Sequence, residues 1–208
     1  MYEVRPSLTL GFHGCDAAVR DTLLLDPDNI KISKAPFDWL GTGMYFWENN
    51  YYRALLWAKE KMKRGHIKQP AVLGAVLDLG HCCDLLDSQH ILALKKAYQR
   101  MATIYSYSGI DLPQNKDLPH DQHNGKILRE LDCAAIEYMH SYIRLKQQTQ
   151  QSGATSKLYD STRNVFIEGG PVFHGSGIYE KSHIQICVRN ANCIKGFFMP
   201  RREVEFAG

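Results

Sequence analysis

The sequence predicts an α+β fold. Three observations carry that prediction: strand-like apolar runs gather toward both ends of the chain, helix-spaced apolar residues fill its middle from 88 to 147, and no segment repeats. With 208 residues, 44% of them apolar and 23% charged, the chain is long enough to bury a core as a single domain over 1–208.

Residues 8–13 (Leu-Thr-Leu-Gly-Phe-His) read as a strand, and Asp26 to Lys34 as a polar connection through Pro27 and Asn29. A second strand follows at 43–47. Asn49 or Asn50 caps a helix running through Arg64, with Tyr51, Leu55, Ala58 and Met62 on its buried stripe and Gly65 stopping it. The near-continuous apolar run from Ala71 to Leu79, behind Pro70, suits a strand covered on both faces and predicts the centre of the sheet.

Asp87 or Ser88 begins the next helix, whose inner side is Ile91, Leu94, Tyr98, Met101 and Tyr105. A polar loop over 106–124 contains Gly109, Pro113 and Pro119. Gly125 to about Gln147 predicts a further helix with Ile127, Leu131, Ala135, Tyr138, Tyr142 and Leu145 buried, fraying into a Gln-Thr-Gln-Gln-Ser-Gly linker. Strands return at 164–168, 183–188 and 193–198, the first turned by Gly169-Gly170-Pro171. Along 183–188 the period of two sends Ile184, Ile186 and Val188 inward and His183, Gln185 and Cys187 toward a cleft.

The totals narrow the function. No apolar run reaches membrane-spanning length, and the amino terminus lacks a basic stretch followed by an apolar one, which predicts a cytoplasmic protein with no membrane partner. Six scattered cysteines predict reduced interior thiols. His81-Cys82-Cys83 lacks the spacer of a zinc-chelating loop, so no metal is expected. A formal charge of +3 favours a polyanion without requiring one, and the run Lys59, Lys61, Lys63, Arg64 and Lys68 reads first as a solvated helix face.

The most informative stretch is Gly41-Thr42-Gly43-Met44-Tyr45-Phe46, some thirty residues after Gly11-Phe12-His13-Gly14-Cys15. It aims a histidine at a strand end and a tyrosine in a glycine-prefaced strand at one place, a cleft for a flat, charged ligand. Taken singly, His13 also reads as a strand-end histidine satisfied by backbone, and Tyr45, Phe46 and Trp47 as core aromatics, although alternation forbids all three from sharing one face. Cys15 beside His13 suggests a thiol nucleophile, but no third group to orient the histidine is evident.

In the order of these parts, with Ala71 to Leu79 as the following buried strand, the chain resembles the ADP-ribosyltransferases of the histidine–tyrosine–glutamate class, which includes diphtheria toxin and the poly(ADP-ribose) polymerases. The helical part at 88–147 has no counterpart in that pattern. The resemblance implies two packed, mostly antiparallel sheets around an NAD cleft, with 88–147 as an inserted helical segment. NAD would be the co-substrate: His13 would bond the adenosine ribose, Gly14 would hold the nicotinamide carboxamide through its backbone, Tyr45 would stack on the nicotinamide, and Gly43 would belong to the same binding set. An aromatic face suits a cationic pyridinium, a contact worth about 0.5–2 kcal/mol.

At the third catalytic position the alignment sets Gln185 where the family carries glutamate. A neutral amide bonds the ribose but neither offsets positive charge nor removes a proton, so transfer of a single ADP-ribose unit is implied rather than chain extension. His183, two residues earlier on the same face, and Glu168, on a neighbouring predicted strand, are the candidate bases. The acceptor implied is a macromolecule, either protein or nucleic acid held by Arg53, Lys61, Arg64, Arg201, Arg202 and the tyrosine-rich loop Tyr105-Ser106-Tyr107. By analogy with the family the setting is a bacterial toxin–antitoxin or phage-defence effector, with an antitoxin or inhibitor protein as partner. The competing readings are a catalytically silent NAD- or ADP-ribose-binding module and an NAD glycohydrolase.

Overall fold

The computed structural model describes residues 8–117, 126–149 and 157–201. Pro119, the proposed helix start at Gly125, the linker beyond Thr149 and Arg202 lie outside the described residues.

The chain opens with β1 (Thr9–Asp16), longer than the period predicts, and passes directly into α1 (Ala17–Leu25). Asp16 makes that junction. One carboxylate oxygen accepts from Ala18 N at 3.1 Å as the helix N-cap, while the other takes Lys68 N at 2.7 Å and Gln69 N at 3.2 Å, tying the loop before Pro70 to the same point. β2 (Met44–Glu48) leads into α2 (Tyr51–Lys63), where the Asn50 side chain caps Arg53 N at 3.0 Å and Gly65, at φ +76°, follows the helix end. β3 (Pro70–Leu77) and the short β4 (Cys82–Asp84) precede α3 (Ser88–Tyr107), capped by Asp87.

Tyr105-Ser106-Tyr107 therefore forms the last turn of α3 and not a loop. β5 (Asn115–Lys116) and β6 (Leu128–Arg129) pair as a two-stranded ribbon, which delays α4 (Glu130–Gln148) by five residues from the start that the apolar spacing suggests. Asn115 substitutes for a local cap: its Oδ1 accepts from Leu131 N at 2.9 Å and Asp132 N at 3.3 Å. The buried face of α4 is accordingly Cys133, Ile136, Met139 and His140 along with Ala135, and Leu145, expected inside, is 55% exposed. β7 (Ser161–Phe166), β8 (His183–Val188) and β9 (Ile194–Phe198) complete the order.

Seven strands hydrogen-bond as one sheet in the order β4-β7-β8-β2-β1-β3-β9. All neighbours are antiparallel except β4 and β7. Two corrections follow. The resemblance implied two packed sheets, whereas the large sheet is continuous and the second is only the β5–β6 ribbon. β3 is buried on both faces as expected, yet it sits one strand in from the edge; the centre is β2.

One face of the sheet carries Phe46, Leu73, Ala75, Leu77, Ile186 and Val188, covered by Leu23 of α1. The other face receives α2 on one side and the α3–α4 pair on the other. Between those two helical covers lies the site. α2 comes close because Gly14 has no side chain: a Cβ there would stand 2.2 Å from Ala54 O. Ala54 and Ala58 are fully buried on this helix, and Met62, expected on the buried stripe, is 40% exposed.

Candidate functional site

β1 and β2 pair only through Gly11 with Glu48 and Phe12 with Trp47. Beyond that point the strands separate, and the His13 ring bridges the gap, its Nδ1–H donating to Tyr45 O at 2.8 Å. Burial lowers the His13 pKa more than this bond raises it, so the ring is neutral and Nε2 is left as an acceptor. A cavity of about 300 Å³ opens at the split, within the size range of small-molecule sites.

Register explains which side chains reach the cavity. Tyr45 opposes Cys187 and Trp47 opposes Gln185, so Tyr45, Trp47 and Gln185 share one face, and the neighbouring strand adds Phe166 beside His183. Phe46 points the other way into the core, which resolves the three consecutive aromatics. The Tyr45 hydroxyl donates to Gly41 O at 2.8 Å and accepts from Leu40 N at 2.9 Å. Its acidity is suppressed by burial, and the loop it ties fixes the ring in the cavity wall. Gln185 Oε1 accepts the Trp39 indole N–H at 2.6 Å, leaving its NH₂ for a ligand.

The two candidate bases are placed less favourably for proton removal. His183 donates from Nδ1 to Lys181 O at 2.6 Å and stacks on Phe166, with ring centroids 5.5 Å apart. Burial pushes its pKa down to about 4, so it is a neutral acceptor at physiological pH and a weak base. Glu168 lies past the end of β7 and not within a strand as expected. Its carboxylate is held by Arg53 Nη2 at 2.5 Å and, more loosely, by Lys181 Nζ at 3.5 Å.

His13, Gly43, Tyr45, Gln185, His183 and Glu168 all line this one cavity. Gly14 does not: it lies beneath α2, where the approach of Ala54 O accounts for the glycine. Gly43 is likewise required by packing, since a Cβ would stand 2.4 Å from Cys187 Sγ. Cys15 is buried in the core with its thiol pKa pushed up to about 11, which removes the nucleophile reading.

Sequence reasoning did not place Trp39, Trp57 and Phe166 in the wall. Trp57 follows Arg53 by four residues on α2, a spacing that puts both on one side and was readable in advance. Trp39 reaches Gln185 from a loop far away in sequence, and no local pattern announces it.

Among the described residues no group of histidine, cysteine and acidic side chains is arranged to hold a metal ion, and no helix is long and apolar enough to cross a membrane. No protein-family model, curated protein or solved structure matches the chain.

Proposed function

We propose that this protein is a mono-ADP-ribosyltransferase that cleaves NAD and transfers ADP-ribose to a macromolecular acceptor. The observation carrying the reading is that His13, Tyr45 and Gln185, which come from separate parts of the chain, line one cavity at the point where β1 leaves β2. Tyr45 offers a ring held in place by its own hydroxyl, suited to stack on nicotinamide. Neutral His13 offers Nε2 to a ribose hydroxyl, and Gln185 offers amide N–H groups to a ribose oxygen.

In the reaction the bond from ribose C1′ to the nicotinamide nitrogen breaks, nicotinamide leaves with the bonding pair, and an acceptor nucleophile bonds to C1′ and releases its proton. Aromatic walls exclude water around the developing oxocarbenium charge, and Glu168, supplied from the loop that follows β7, is one of three carboxylates in the cavity wall, with Asp38 and Glu60. Protein or nucleic acid is the acceptor, and a cytoplasmic toxin–antitoxin or phage-defence effector with an inhibitor partner is the setting that the family analogy suggests.

A second reading has its own support. Gln185 is neutral and Glu168 is engaged by Arg53, an arrangement that suits an NAD- or ADP-ribose-binding module without turnover. Incubation with NAD labelled on the adenylate decides among the readings. Nicotinamide release with label on protein or RNA is the expected result, and release without a labelled acceptor identifies a glycohydrolase. Saturable binding with neither identifies the module. Absence of both binding and release overturns the NAD reading, and mass spectrometry of cellular RNA and protein after induced expression names the acceptor.

A further inference from the structure

Buried polar atoms without a partner are concentrated at one place. Of the six such side-chain atoms among the described residues, four belong to three cavity-lining residues: Arg53 Nε and Nη1, Trp47 Nε1 and His183 Nε2. These residues are neighbours. The Arg53 guanidinium carbon lies 5.9 Å from the Trp47 ring centroid, and the His183 ring lies 6.1 Å from it on centroids. Their exposures are 7% for Arg53, 3% for Trp47 and 6% for His183, so bulk water does not satisfy them.

Leaving donors of a buried cation unsatisfied is costly, and Glu168 engages only Nη2. The remaining guanidinium donors and the indole N–H can converge on an acceptor, and a fork of planar donors matches phosphoryl oxygens. The rest of α2 extends the same chemistry. Arg53, Trp57 and Lys61 on α2 and Arg64 at its C-cap all line the cavity, and the eleven steps from first to last cover about 16 Å at the helical rise.

We infer that Arg53 is the phosphate-binding residue of the cavity, with the Trp47 indole N–H as its second donor, and that the group they hold is the pyrophosphate of the dinucleotide. The choice of pyrophosphate rests on the NAD reading; the anion site itself does not. Glu168 then competes with the ligand for the guanidinium as well as orienting it.

Calorimetric titration of the whole protein with inorganic pyrophosphate, NAD and nicotinamide riboside, which lacks phosphate, tests the assignment. Arg53→Gln should weaken pyrophosphate and NAD by about 10- to 100-fold and leave nicotinamide riboside within about twofold, the scale of losing charge-assisted hydrogen bonds. Arg53→Lys, which keeps the charge and loses the fork, should recover part of that loss. Trp47→Phe, which keeps the ring and removes the N–H, should weaken pyrophosphate by several-fold. Circular dichroism and melting of each variant separate lost binding from lost fold, and Arg53→Lys and Trp47→Phe stand as the test if Arg53→Gln does not fold.

Pyrophosphate binding that depends on Arg53 in a protein that ignores NAD keeps the anion site and overturns the NAD reading and with it the pyrophosphate of a dinucleotide as the ligand. NAD binding unchanged in Arg53→Gln and Arg53→Lys overturns the inference and keeps the NAD reading. Equal loss of NAD and nicotinamide riboside also overturns it, by assigning Arg53 to the nicotinamide end or to the shape of the wall. A wild-type protein that binds none of the three overturns both.

Discussion

Replacing Gly14 by alanine should damage stability and ligand binding together, and the size of the effect follows from one distance. The added Cβ would lie 2.2 Å from Ala54 O, whereas ordinary contact begins at 3.4 Å, so α2 and β1 must part by about 1.2 Å. The obstructing atom belongs to the main chain, and no side-chain rotation at position 54 relieves it. Overpacking of this kind costs roughly 3 kcal/mol, and for a chain of this length each kcal/mol lowers Tm by about 2–4 °C, giving a drop of about 6–12 °C. The same displacement acts on Arg53, the residue before Ala54, and stretches its 2.5 Å bond to Glu168. Thermal melting beside NAD titration measures both effects, with Gly177→Ala as the control because nothing lies within 4 Å of a Cβ there. A Gly14→Ala protein melting within about 2 °C of wild type would refute the packing argument.

Tyr45→Phe removes a hydroxyl that joins Leu40 N and Gly41 O and should cost about 1–3 kcal/mol in urea denaturation, while NAD affinity stays within a few-fold because the ring remains; Tyr45→Ala should lose both. Arg163 bonds Glu48 at 2.5 and 3.0 Å and Asp84 at 3.2 and 3.3 Å, so Arg163→Met takes the shared cation from between two carboxylates and should destabilise by about 3–5 kcal/mol, read as a shift of the urea midpoint at pH 7. His140 and His183 both have pKa values pushed down to about 4 by burial. The unfolded chain therefore binds more protons below pH 6.5, and the stability these neutral rings contribute above that pH is lost as pH falls toward 4, at roughly 3 kcal/mol for each. Urea midpoints across pH 7.5 to 4.5 check this, and a His183→Gln protein with an undiminished pH slope would count against it.

Where the sequence pattern is local, it was legible. Strict alternation from His183 to Val188 defines β8 to the residue and assigns His183 and Gln185 to the cavity side, because a one-residue slip would reverse every side chain. Asn50 and Gly65 bound α2 for reasons of capping and backbone freedom that need no tertiary context. α1 went unread because Asp16 ends a strand and caps a helix at once, with no turn residues between to mark the change. The buried face of α4 was misjudged because Leu128 and Arg129 are committed to pairing with Asn115 and Lys116, a contact between distant residues. Arg53 showed the same limit: the sequence offered it to an acceptor's phosphates, and nothing local announces Glu168, supplied from beyond β7, whose carboxylate offsets the cost of burying the guanidinium.

The six cysteines, all buried and joined by no disulfide, sit on both sides of the sheet: Cys15, Cys82 and Cys193 in the core cluster that Leu23 of α1 joins, Cys83 and Cys187 in the cluster against the α3–α4 pair, and Cys133 on the buried face of α4. Burial raises the thiol pKa of Cys83 to about 12 and of Cys193 to about 11, which suppresses the reactive thiolate in the native state. Alkylation must therefore wait for the chain to open, and the order in which these sulfurs acquire label reports which half of the molecule breathes first. The native interior thus carries its own chemical stopwatch for each helical cover, without any introduced probe.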